Sequence, residues 1–367
     1  MNILVAHADL TARGGAEAYA HALIARLRAH GHSVGVLDIN GLQQGNRLDK
    51  PALFRLGTVP LLRRLSLWKY ALVCRALPRI ACAFDAVILS YGEGPDTGRP
   101  TLRILHAPAL FSSHPKLLRL LGAKAPFGPR QLYALTCRAL ARPASHPPHT
   151  QSRANSDWTA RIAARAHGIR RPQILYPKVT AKRVPHPQRD PFAMLCIGRV
   201  VPNKRIEDAI ALTRNLRASG TPATLTIIGR ADTPYARALI ERHRSTPGLT
   251  FLPNATNAQL QTALATARIG LHFYRHEHFG IAVGEMITAG LVPLVYDGGG
   301  VRELVANPFL RFRTPDAATT RASVLLNAPL ARTEALNLAL QETDALHRAL
   351  SFEAAADAAL TDFLGAL

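Results

Sequence analysis

Two glutamates eight residues apart frame the segment Glu277-His278-Phe279-Gly280-Ile281-Ala282-Val283-Gly284-Glu285. An apolar run ends near Tyr274, a short loop turns, and helical spacing begins at about Gly280. Gly280 lets the backbone come close to a ligand, and a helix N-terminus offers free N–H groups to an anion. Glu285 lies more than one turn into that helix, so both carboxylates can point to one side. Such a pair suits polyol hydroxyls, those of a ribose and a hexose. The turn Gly198-Arg199-Val200-Val201-Pro202-Asn203-Lys204 also follows a strand-like run and opens a helix. Its Arg199 and Lys204 can converge on a diphosphate as fixed cations. Asp297-Gly298-Gly299-Gly300, with Glu303 close behind, adds a further glycine-rich loop. Together the three loops spell a nucleotide-diphosphate site.

Positioning such loops requires a sheet. Buried-strand runs are expected at Asn2–Ala6, Ser33–Ile39, Asp85–Tyr91, Leu102–Leu105 and Gln173–Leu175, separated by helical patterns. This β-α-β alternation implies a parallel sheet covered by helices. Pro177, Pro185, Pro187 and Pro191 then punctuate a polar, basic stretch that reads as a linker. The second half restarts the pattern, with strands at Met194–Ile197, Thr224–Ile228, Thr250–Leu252, Ile269–Phe273 and Val292–Tyr296. Its helices are expected at about 205–217, 234–245, 257–267, 280–289 and 301–305. The expected division is residues 1–181, on the acceptor side, and residues 182–350, on the donor side. An Ala-rich helix over 351–367 is expected to pack back on the first domain. Ligands of open α/β sheets sit beyond the carboxyl ends of the strands.

These motifs, together with the opening Gly14-Gly15-Ala16-Glu17, resemble glycosyltransferase family 4. His106-Ala107-Pro108, Ala154-Asn155-Ser156-Asp157-Trp158-Thr159, Leu175-Tyr176-Pro177 and Glu277-His278-Phe279-Gly280-Ile281 are closer still to the dolichol-pathway α-1,2-mannosyltransferase branch. The region Gly41–Gln151 departs from that branch. The resemblance implies an α/β protein of GT-B architecture, two Rossmann-like domains facing each other across a cleft. It implies a retaining, metal-independent hexosyltransferase that needs no cofactor beyond its nucleotide-sugar co-substrate. GDP-mannose is the favoured donor, and a glycan or lipid-linked molecule the acceptor. In these roles Arg199 and Lys204 neutralise the leaving diphosphate, and Glu285 holds the ribose. Glu277 and the Phe279, Gly280 and Ile281 backbone hold the sugar and the distal phosphate. Gly14 and Gly15 approach that phosphate, and His106 faces the donor sugar. A UDP-sugar enzyme with a soluble acceptor, a sugar-nucleotide epimerase and a basic nucleic-acid-binding protein are the alternatives.

Composition narrows the classes further. The 367 residues are 48% hydrophobic and 19% charged, a globular balance. No apolar run is long enough to cross a bilayer without a charge, so a cytoplasmic or peripheral protein is expected. Cys74, Cys82, Cys137 and Cys196 form no CxxC pair and read as free thiols. The 15 histidines come without a metal-ligand spacing. Residues 1–183 carry 27 basic and 8 acidic side chains, the remainder 18 and 16. That one-sided excess points to an anionic partner. With aromatics at 6% and no binding module, nucleic acid is not expected. Two basic, apolar stretches offer a membrane-facing surface instead. The first places Leu61, Leu65, Trp68, Leu72 and Ala76 between Arg64, Lys69 and Arg75. The second is the Arg130–Arg142 ridge, preceded by Lys116, Arg119 and Lys124.

Overall fold

The computed structural model describes residues 1–12, 14–57, 59–60, 62, 65–111, 129–144, 147–179, 189–349 and 352–367. Most of the 177–191 linker, Leu61, Arg64, Lys116, Arg119 and Lys124 lie outside the described residues. The chain divides into two compact units, Met1–Lys178 with Leu350–Leu367, and Val179–Ala349.

In the first unit the apolar run Asn2–Ala6 forms β1. It pairs in parallel with β2 (Ser33–Asp38) on one side and β5 (Ala86–Leu89) on the other. The sheet continues through β6 (Thr101–Leu105), β7 (Thr150–Ala154) and β8 (Gln173–Ile174), all parallel. On the far side β3 (Gly41–Gln44) and β4 (Arg47–Asp49) add an antiparallel edge, giving the order β4-β3-β2-β1-β5-β6-β7-β8. The two-residue side-chain period sends alternate strand residues into two layers. Leu4, Ala6, Val87 and Leu89 meet α2 (Ser66–Ala81) and α3 (Pro129–Ala141). Ile3, Val5, Ala86 and Ile88 meet α1 (Gly15–Ala29) and a helix returning from the C-terminus, Phe352–Leu364. That last helix buries Phe352, Ala356, Leu360 and Phe363. Its outer face pairs Asp357 with Arg26, Asp362 with Arg153 and Glu353 with Lys178. With these acids included, the first unit carries 25 basic and 11 acidic side chains, the second 20 and 13. The charge asymmetry is therefore smaller between folded units than between halves of the sequence.

The expected membrane-facing stripe on α2 is corrected by its packing. Leu72 is fully buried, and Trp68 and Ala76 pack against the same core. Trp68 also donates its backbone N–H to the Tyr133 hydroxyl oxygen at 3.0 Å. Lys69 is committed to Asp9, Nζ to Oδ2 2.5 Å. Among the described residues of this stripe, the apolar side chains thus serve the core of the first unit. On α3, by contrast, Leu132 and Leu135 are exposed beside Arg138.

The second unit is a fully parallel sheet of β9 (Ala193–Ile197), β10 (Thr224–Gly229), β11 (Leu249–Pro253), β12 (Ile269–His272), β13 (Val292–Tyr296) and β14 (Arg311–Phe312). The order is β11-β10-β9-β12-β13-β14, the doubly wound Rossmann order. Helix starts follow local capping chemistry: Thr233, Thr256 and Thr314 accept the backbone N–H three residues on. In each unit the strand order reverses once, between β9 and β12 and between β1 and β5. Chain leaving those strands at their carboxyl ends diverges and opens a crevice.

Candidate active site

Leaving β9, Gly198 donates its N–H to the Ile228 carbonyl, and Val200 donates to Arg230, 2.9 Å each. The turn is thus stitched to the end of β10. Gly229 makes this possible, because a Cβ there would overlap the Gly198 carbonyl. A single 3₁₀ turn, Pro202–Lys204, then feeds the helix α5 (Ile206–Ala218). It delivers Lys204 to the switch point, while Arg199 is exposed and has no ion-pair partner among the described residues.

Leaving β12, the chain buries Phe273 and turns through Tyr274 to Glu277. Lys204 Nζ lies 2.7 Å from Glu277 Oε2 and 4.6 Å above the Tyr274 ring. His272 Nε2 is 3.0 Å from the same Oε2, outside hydrogen-bond angles. Glu277 Oε1 accepts the His278 N–H at 3.1 Å. The Lys204 and Glu277 side chains are only 19% and 15% exposed. Burial alone would push the Glu277 carboxyl up. Lys204 first, then His272, outweigh it and hold the group well below the usual carboxylate range. Burial, with Lys204 adding to it, moves the His272 ring down despite Glu277. The result is a largely buried Lys–Glu pair with an imidazole against the same carboxylate oxygen.

The third loop locks this arrangement. Gly300 donates its N–H to the Glu277 carbonyl at 2.7 Å, and a Cβ at Gly299, where φ is 74°, would run into the Glu277 backbone. Asp297 anchors the loop through Arg302, Arg311 and Arg313. Gly280, at φ 101°, caps α8 (Ile281–Thr288) with no side-chain cap bond. Val283 and Gly284 donate their N–H groups to the Gly280 carbonyl, which leaves those of Ile281 and Ala282 for an outside acceptor. The Phe279 side chain is buried. Glu285 is half-buried in the second turn of α8.

In the first unit, Gly14 and Gly15 are exposed at the N-terminus of α1, and Gly14 caps it without a side-chain bond. His106 follows β6, with Nε2 3.1 Å from the Ser90 carbonyl and its ring edge-on to Tyr19. Sequence reasoning missed His272, Tyr274, His7 and a role for Glu17. The signal was present in part: His7 and His272 are histidines at the carboxyl ends of otherwise apolar strands.

Against known proteins, residues 179–323 match the family described as Glycosyl transferases group 1. A GDP-Man:Man(3)GlcNAc(2)-PP-Dol alpha-1,2-mannosyltransferase of Yarrowia lipolytica is 32% identical over 74 residues, 20% of this chain. The chain spans 12% of the length of that curated relative. Among solved structures, a sucrose-phosphate synthase from Thermosynechococcus elongatus superposes at TM-score 0.73 with 14% identity, covering 100% of both chains. WaaG, a glycosyltransferase of lipopolysaccharide biosynthesis, gives 0.68 with 17% identity over 97% of this chain and 98% of its own. Anabaena HepE, solved with UDP and glucose, gives 0.62 with 16% identity over 100% of both. The chain thus has the GT-B glycosyltransferase fold of two Rossmann-like units, and its residues 179–323 are the part that matches the group 1 glycosyl transferases.

Proposed function

We propose that this protein is a retaining, metal-independent glycosyltransferase that moves a hexose from a nucleotide-diphosphate sugar to a glycan or lipid-linked acceptor. The observation that carries the reading is the Lys204–Glu277 pair, held by loops from three neighbouring strands at the switch point of the second sheet. In the transfer, the anomeric C–O bond to the diphosphate breaks and its electron pair goes to the phosphate oxygen. The acceptor oxygen bonds the anomeric carbon from the same face, and its proton passes to the departing diphosphate. Positive charge grows on the sugar and negative charge on the leaving group. Lys204, Arg199 and the α8 N-terminus stabilise the latter, and Glu277 and the loop backbone orient the sugar. Gly14, Gly15 and His106 serve the distal phosphate and sugar from the first unit.

The 74-residue likeness to a GDP-mannose enzyme supports mannose from GDP-mannose. A UDP sugar is the second reading, prompted by the UDP complex of HepE. The basic first unit and the exposed Leu132, Leu135 and Arg138 of α3 support an acceptor carrying phosphate or lipid at the cytoplasmic face of a membrane. Calorimetric titration with GDP, UDP, ADP and dTDP tests the donor reading. One nucleotide is expected to bind clearly best, and Glu285→Ala to weaken it by about 1.5–3 kcal/mol, the value of a hydrogen bond to a charged group. Equal affinity in Glu285→Ala and the natural protein would remove Glu285 from the site.

A further inference from the structure

The switch point of the first sheet holds a second cluster of titratable side chains. His7 follows β1 directly and is fully buried. Its Nδ1 lies 3.2 Å from the Ser90 carbonyl oxygen and 3.0 Å from Ser90 Oγ. The Ser90 hydroxyl donates to the Ala6 carbonyl at 3.1 Å. A carbonyl only accepts and the hydroxyl hydrogen is committed, so both contacts require the ring hydrogen on Nδ1. In the neutral ring Nε2 then carries the lone pair. That atom is buried without a hydrogen-bond partner, and it faces Glu17 Oε1 across 3.7 Å.

Glu17 stands in the first turn of α1, its carboxylate folded back on Gly14, where a Cβ would crowd Oε2. Burial pushes its carboxyl up. The adjoining His7 ring when it carries a second proton, the backbone N–H of Glu17 and His106 prevail and hold it below the usual range. Glu17 is therefore an anion at the mouth of the glycine loop. Among the described residues, Asp9 pairs with Lys69, and Asp38 accepts the Leu10 and Asn40 N–H groups. Tyr91 closes the pocket edge-on against the His7 ring.

A diphosphate arriving at Gly14 and Gly15 meets a carboxylate, and two half-buried anions repel. We propose that the His7–Glu17 pair takes up one proton when an anionic diphosphate binds beside it, and releases that proton when the nucleotide leaves. The proton comes from solvent and belongs to the pair as a unit. His7 Nε2 supplies the basic lone pair, and Glu17 faces the imidazolium that forms. This inference rests on the proposed role of the glycine loop.

The test is calorimetric titration of the natural protein with GDP and UDP in buffers of differing ionisation enthalpy. About one more proton should be taken up per bound nucleotide than in either of two variants. His7→Asn keeps an amide donor where Nδ1 meets Ser90 and removes the lone pair of Nε2, and Glu17→Gln keeps the shape of the acid. The affinity of the natural protein should fall as pH rises, by up to about tenfold per pH unit where one proton is taken up, while both variants stay flatter. Should His7→Asn fail to fold, Glu17→Gln alone decides. Equal uptake in all three proteins, or none in the natural protein while nucleotide binds, overturns the inference. Absence of binding by any nucleotide overturns the donor reading itself, a separate and recognisable result.

Discussion

Lys204→Ala should cut turnover by about 10²–10³-fold, the usual loss when a preorganised charge contact to the transition state is removed. The same change leaves Glu277 enclosed with its strongest partner gone, and breaking a buried pair from one side costs about 3 kcal/mol. The pH dependence follows with a definite sign. In the natural protein the Glu277 carboxyl is held low, so its contribution is present above the ordinary glutamate value and is lost as pH falls through the folded one. Lys204→Ala lacks that contribution at neutral pH and has little to lose in acid. Urea unfolding should therefore show a wide gap in stability between the two proteins near neutrality that narrows on acidification. Natural turnover in the variant, or a gap that stays constant with pH, would contradict the role given to the pair.

Gly229→Ala should impair the site without touching any side chain in it. A Cβ at this position meets the Gly198 carbonyl oxygen and carbon, both backbone, so either the β9 turn or the end of β10 must shift. Forcing extra volume into a packed position costs about 1–3 kcal/mol. The larger effect is on chemistry, since a displacement of about 1 Å in a positioning element costs about 10²-fold in rate. The turn that moves carries both Arg199 and Lys204. Rates measured beside a thermal melt separate the outcomes: an active protein of lowered stability would show that the turn tolerates displacement.

Most of the site-bearing scaffold was legible in the sequence because its strands are buried on both faces. Asn2–Ala6, Ile269–His272 and Val292–Tyr296 are continuous apolar runs, and such runs announce parallel strands. The glycine loops were legible because only glycine fits where Gly299 and Gly280 sit. Pairing was not legible. Lys204 and Glu277 are 73 residues apart, and nothing local says that they share one ion pair rather than each facing a ligand. Nor did the pattern reveal β3 and β4, whose Gln43, Gln44 and Arg47 form a polar edge, or the two-residue β14. The helices Pro315–Asn327 and Pro329–Ala349 were missed as well, their alanine-rich faces giving little contrast. The α2 stripe was seen correctly as amphipathic and misassigned, because periodicity identifies an apolar face and leaves open what covers it.

The measurement closest to the central claim is release of nucleoside diphosphate by the purified protein from GDP-mannose and UDP-glucose in EDTA. It is run with a lipid-linked glycan in anionic vesicles, with a soluble sugar, and with no acceptor. Acceptor-dependent release is expected from one donor, undiminished by EDTA and largest with the lipid-linked acceptor. Turnover of the donor without any acceptor, or activity that vanishes in EDTA and returns with Mn²⁺ or Mg²⁺, would contradict it.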